Sequence, residues 1–269
     1  MNGGPVKPRL VETESKPQTT RLGLFADRVE GLLFPLIFLF LACKSAFKLY
    51  SDWHLIVPAV KAIDIFHPHP THFVTASTLM TYTHLVIYNL LIAFLIFRRR
   101  APERTPDNAV EIIIPVIATF GTMAYSLVLF WLPKGMDSFF LPPSMRFWPL
   151  VFGTCLSAFG FLMSLVAISQ LNTNFGIFVQ VREVVMGGLY QYVRHPIYSA
   201  YLIIDIGLLM IRPTVSYLIV TIGFTLLTIY RATLEEAKLS DYSPEYAEYR
   251  KRTPMLIPRF WPAPKGPSK

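Results

Sequence analysis

Residues 188–258 read GLYQYVRHPIYSAYLIIDIGLLMIRPTVSYLIVTIGFTLLTIYRATLEEAKLSDYSPEYAEYRKRTPMLIP. Two apolar runs, 196–211 and 214–231, stand nearly back to back, with Arg212 and Pro213 between them. A polar and aromatic knot of Tyr190, Tyr192, Arg194, His195 and Tyr198 stands at the head of the first run, and a cluster of Arg231, Glu235 and Glu236 stands at the end of the second. Both runs are short beside the roughly 20 residues that cross a bilayer, so they read as a tight helical hairpin with antiparallel arms. A hairpin returns the chain to the end it left. Charged groups at the mouth of apolar helices are costly unless paired or in use, and the two clusters therefore read as two walls of one site.

Composition agrees with this membrane reading. The chain of 269 residues is 53% hydrophobic and 16% charged, with a mean hydropathy of +0.44, too apolar for an ordinary soluble domain. Its net charge of +8 does not point to nucleic acid, because the basic residues are dispersed among apolar runs. Anionic membrane lipids are the expected counter-charge. Cys43 and Cys155 both fall inside apolar runs, which gives neither a disulfide framework nor a metal site and reads as two buried thiols.

Further apolar runs at about 31–49, 73–97, 109–132 and 147–169 bring the total to six. The expected fold is all-α: a polytopic integral membrane bundle of about six transmembrane helices ending in the hairpin. Three parts follow: a polar, mobile tail over 1–29, four spans over 30–169, and a catalytic half over 170–269 containing an interfacial segment, the hairpin and a C-terminal stretch. The tail lacks the apolar core and cleavage site of a signal peptide, so the first run is expected to stay as an anchor. Lys and Arg concentrate in the tail, in the loop holding Arg98, Arg99, Arg100 and Arg104, in the segment with Arg182 and Arg194, and beyond Arg231. The opposite loops hold only Lys61, Lys134, Arg146 and Arg212. The positive-inside rule then places both termini and the site in the cytoplasm.

Three further features lie outside the site. His67, His69 and His72 of HPHPTH resemble a metal tract, but Pro68 and Pro70 extend the chain and no Cys or carboxylate adjoins, so an ordinary polar loop is expected. His84, among threonines and a tyrosine, reads as an interhelical hydrogen-bonder. Asp205, in mid-run, must be protonated or paired inside the bundle, and serves either packing or a site.

The segment 172–196 is too polar to span and too aromatic to be a free loop, and is expected at the interface. Gly187 and Gly188 allow a positive φ or a close approach, and Pro196 suits the first turn of a helix whose free amides point into the knot. Such amides attract a carboxylate. Arg231 and Glu235, four apart, share a helix face, while Glu236 is turned about 100° away. An exposed pair of this kind is worth only a few tenths of a kcal/mol; it is the facing knot that makes it read as a wall.

These residues carry a resemblance. Asn174-Phe175 and Gln180, then Gly188-x-Tyr190, Arg194-His195-Pro196-x-Tyr198, Arg231, Glu235-Glu236, Leu239, and finally Tyr246, Tyr249 and Pro258, occur in an order that resembles the catalytic half of the isoprenylcysteine carboxyl methyltransferases and related membrane phospholipid methyltransferases. The resemblance implies S-adenosylmethionine as cofactor, held without a Rossmann sheet, and the chain has no Gly-rich nucleotide fingerprint. By that likeness Gln180, Val184, Val185, Tyr190, His195, Pro196, Ile197, Tyr198 and Glu235 bind the cofactor, and Arg231 faces the methyl acceptor. No metal and no nucleic acid are implied. A lipophilic acceptor would enter from the bilayer: the carboxylate of a prenylated cysteine or similar lipid acid, held by Arg231, or alternatively a phospholipid amine or other small lipophile, with Glu236 as the base. A membrane reductase is a third class, which six spans fit poorly.

Overall fold

The computed structural model describes residues 19–61, 70–120 and 138–258. Seven α-helices make up this part: α1 (Arg21–Lys61), α2 (Pro70–Arg98), α3 (Val110–Phe120), α4 (Phe147–Leu171), α5 (Pro196–Ile211), α6 (Val215–Tyr242) and α7 (Pro244–Arg252). By length and composition α1, α2, α4 and α6 can each cross a membrane, and the protein is an all-α integral membrane bundle. Among the described residues the other two expected spans are shorter helices. The described part of α3 ends at Phe120, and the rest of the run 109–132 lies outside the described residues. The 16 residues of α5 rise only about 24 Å, against a hydrocarbon core of about 30 Å.

The first helix begins earlier than its apolar run. Residues 21–29, expected in the mobile tail, are the opening turns of α1, because Thr20 caps them: its hydroxyl accepts from Gly23 N at 2.9 Å. The same hydroxyl donates to Pro106 O at 2.8 Å, tying the start of α1 to the loop between α2 and α3. Of the HPHPTH stretch, His67, Pro68 and His69 lie outside the described residues, and Pro70 opens α2 rather than extending a loop.

The hairpin exists as a turn but hardly as a packed pair. Thr214 caps α6, accepting from Tyr217 N at 3.2 Å, and Phe140 N donates to Pro213 O at 3.0 Å. Along its length, however, α5 packs mainly against α4 and only lightly against α6. The reason is a seam of small residues, Gly153, Ser157 and Gly160 on α4, facing Ala200 and Gly207 on α5. A Cβ on Gly153 would stand 2.5 Å from the Gly207 carbonyl oxygen, so a larger residue there would push the helices apart. In a membrane, where helices gain nothing from hydrophobicity against one another, such close backbone contact decides the partner.

Both cysteines sit on outward faces of α1 and α4 rather than buried, since apolar runs in a bilayer are apolar on the lipid side as well. The starts of α1, α3 and α5 and the ends of α2, α4 and α6 meet at one end of the bundle, through contacts such as Arg100 N to Thr173 O at 2.9 Å and Lys238 Nζ to Asp107 Oδ2 at 3.0 Å. The candidate site lies there.

Candidate active site

Beyond α4 the chain turns at Asn172, whose φ is +48°, and runs on as an irregular connector over residues 175–185. The loop after α2 and the first turn of α3 hold this connector down: Glu103 N donates to Val181 O at 2.8 Å, Val181 N to Arg104 O at 3.0 Å, and Val179 N to Glu111 O at 3.1 Å. Phe175, Ile177, Phe178, Val179 and Val181 are buried, which explains a segment too aromatic to float free. Gly188 then adopts φ +64°, and a Cβ there would stand 2.6 Å from the Gln170 amide, whose Oε1 accepts from Leu189 N at 2.8 Å. Here the backbone conformation and the crowding both demand glycine.

His195 ends the knot and Pro196 occupies the first turn of α5. The C-terminal stretch returns to meet them. After α7, Arg194 N donates to Pro254 O at 2.9 Å, His195 N to Met255 O at 3.0 Å, and Ser199 Oγ to Leu256 O at 2.6 Å. The Tyr249 hydroxyl also donates to the Tyr190 carbonyl oxygen. Burial pushes the Tyr190 phenol well above its usual value and the Tyr249 phenol up to about 12, so both stay neutral near pH 7.

These elements enclose a cavity. Of the residues expected to form the site, Gln180, Val184, Val185, Tyr190, His195, Ile197, Tyr198, Arg231 and Glu235 line it. Pro196 and Glu236 do not. Pro196 is fully packed at the helix start, and its role is to shape the turn. Glu236 is 3% exposed and saturated by cations: Arg194 Nε and Nη2 each lie 2.7 Å from its Oε1, and Arg250 Nε lies 3.2 Å from its Oε2. His195 stands between the two glutamates, with Nε2 3.2 Å from Glu236 Oε1 and Nδ1 3.8 Å from Glu235 Oε2.

Arg231 is the centre of the opposite wall. Its Nε donates to Glu235 Oε1 at 2.9 Å, Nη1 to Thr119 Oγ1 at 3.1 Å and Nη2 to Ile177 O at 2.7 Å, and the guanidinium lies 5.4 Å from the centre of the Tyr198 ring. The Tyr198 hydroxyl donates to the same Glu235 oxygen at 2.6 Å. A guanidinium has five N–H donors, so these three bonds leave two for a ligand. Three buried polar atoms of lining residues, Asn174 Oδ1, Gln180 Nε2 and Tyr246 Oη, have no hydrogen-bond partner. Unpaired buried groups are destabilising, and a polar ligand in the cavity is the natural source of the missing partners.

Two contributors escaped the sequence reading. Thr119 gave no signal, being one threonine in an apolar run. Glu30 did give one, a carboxylate at the edge of the run that begins GLLFPLIFLF. It is fully buried, pairs with Arg99 Nη1 at 2.6 Å and accepts from Ile177 N at 2.5 Å. The peptide unit that Glu30 grips through its nitrogen is thus next to the carbonyl that holds Arg231.

Comparison with known proteins points to the same stretch. The model of the isoprenylcysteine carboxyl methyltransferase family matches residues 152–241. A human protein named protein-S-isoprenylcysteine O-methyltransferase is 27% identical over 139 residues, which is 48% of this chain and 48% of that protein. The match therefore spans about half the length of the relative. It bears out the resemblance to the isoprenylcysteine carboxyl methyltransferase family carried by the residues between Asn174 and Leu239, and the matched stretch supplies most of both cavity walls.

Proposed function

We propose that the protein is an S-adenosylmethionine-dependent membrane methyltransferase that esterifies the carboxylate of a lipophilic acceptor, of which a prenylated cysteine is the model. The observation that carries this reading is the buried Arg231, with unused N–H donors, beside Glu235 on a cavity open to a ligand. The residues present fit the cofactor. Asn174 Oδ1 accepts and Gln180 Nε2 donates, a complementary pair for the polar edge of an adenine, and Tyr190 and Tyr198 offer flat walls. The first-turn amides of α5 at Ile197 and Tyr198 suit a carboxylate, and Glu235 suits a cationic centre. When bound, the cofactor supplies an activated methyl on a sulfonium, and transfer to a carboxylate breaks C–S, forms C–O and cancels one charge of each sign.

The chain's own work is then alignment and exclusion of water. Arg231 holds the acceptor carboxylate, which is already nucleophilic at pH 7 and needs no base. Thr119, Ile177 O and Glu235 fix the guanidinium plane. Glu236, the base expected for the amine alternative, is off the cavity and locked between Arg194 and Arg250. That favours the carboxylate.

The site end is proposed to face the cytoplasm, from the Lys and Arg bias. With Cys43 and Cys155 replaced by alanine, Glu245→Cys should be labelled by an impermeant maleimide only from the cytoplasmic side and Ser144→Cys only from the other. Labelling of both from one side would overturn the topology. The activity itself is tested by incubating purified protein with methyl-labelled S-adenosylmethionine and a panel of S-prenylcysteines, fatty acids and phospholipids. Base-labile label in the prenylcysteine fraction is expected, and label in the phospholipid amine would overturn the carboxylate reading.

A further inference from the structure

One group of polar residues beyond the cavity has no part in the function just proposed. Tyr201 of α5 lines the cavity, and its hydroxyl bonds the Tyr88 hydroxyl of α2. The two helices run in opposite directions, since α2 ends and α5 begins at the site. His84 and Asp205 each lie four residues from one of these tyrosines, on the side away from the site. Both therefore sit one turn, about 6 Å, deeper in the bundle on the same faces.

His84 stacks on Tyr88 with ring centres 5.1 Å apart and on Phe161 of α4 at 4.1 Å, so it is held in place by aromatic faces rather than by the interhelical hydrogen bond expected of it. Its Nδ1 is buried without a hydrogen-bond partner, and so is Asp205 Oδ2. In hydrocarbon an unpaired polar atom is costly, and packing alone would be better served by apolar residues. Two such atoms thus lie at one depth, one turn past the Tyr201 wall of the cavity.

We propose that His84 and Asp205, with the Tyr88 and Tyr201 hydroxyls, form a subsite for an uncharged hydroxyl on the lipid tail of the acceptor, one helical turn beyond the Tyr201 wall. This deepens the function proposed above and rests on it. A hydroxyl both donates and accepts, and so can satisfy a carboxyl oxygen and an imidazole nitrogen together. A charged substituent would be costly to bring sideways through hydrocarbon, and a plain prenyl tail would leave both atoms unpaired. A site built to bond a hydroxyl also discriminates strongly against an analogue lacking it.

The test measures binding and transfer separately, with the full-length protein in lipid nanodiscs. The probes are S-farnesylcysteine and three analogues hydroxylated on the first, second or third isoprene unit. One hydroxylated analogue is expected to bind at least about tenfold tighter than the plain compound. Asp205→Leu should remove that preference, leaving affinity for plain S-farnesylcysteine and for S-adenosylmethionine unchanged, and Asp205→Asn, which still hydrogen-bonds, should keep part of it. Equal affinity of all four probes for the unmodified protein overturns the subsite, as does a preference that survives Asp205→Leu. Hydroxyl preference without methyl transfer to any probe would leave the subsite standing and overturn the proposed reaction.

Discussion

Glu30→Ala is expected to lower the unfolding free energy by about 3–5 kcal/mol, the cost of leaving a buried charge and its partners unpaired. Arg99 would keep Asp27, at 2.7 Å, but lose the fully buried partner, and the Ile177 amide would lose its acceptor. The effect should not stop at stability. Ile177 O holds Arg231 Nη2, so a relaxed connector frees the guanidinium, and acceptor turnover should fall further than cofactor affinity. Glu30→Gln restores an acceptor for Ile177 N without the charge and should recover part of both. Thermal unfolding in detergent beside calorimetry of S-adenosylmethionine reads the two effects. A variant as stable as the parent would show that the buried pair contributes nothing.

Arg231→Lys is expected to cut acceptor turnover by about 10–100-fold at saturating cofactor, with cofactor affinity nearly unchanged. An ammonium keeps the charge but loses the planar fork. Its three N–H groups would all be spent on Glu235, Thr119 and Ile177 O, leaving none for a carboxylate. Single-turnover rates with S-farnesylcysteine are the measurement. Full activity would exclude Arg231 from acceptor binding, and a loss confined to cofactor affinity would move it to the other ligand.

Much of this site was readable from residue order, and the reason is local. The knot before α5 and the cluster after α6 are defined by spacing along single helices, and nine of the eleven expected residues do meet at one cavity. Glu236 was misplaced because sequence shows which way it turns but not that Arg194 and Arg250, from two other elements, are waiting there. Thr119 was invisible for the same reason, since its role exists only through Arg231. The hairpin arms were expected to pair because they adjoin in sequence. Gly153 and Gly207 decide otherwise, and their complementarity across two helices is not a property of either run alone. The start of α1 was missed by weighing apolarity and not the capping threonine.

The strap formed by Pro254, Met255 and Leu256 on Arg194, His195 and Ser199 bears on the order of assembly during synthesis. Residues 254–256 must return to the knot before it is closed. The membrane helices can insert one by one as they emerge, but this end of the bundle is complete only once the strap has reached the knot, so its closure follows the helices that carry it.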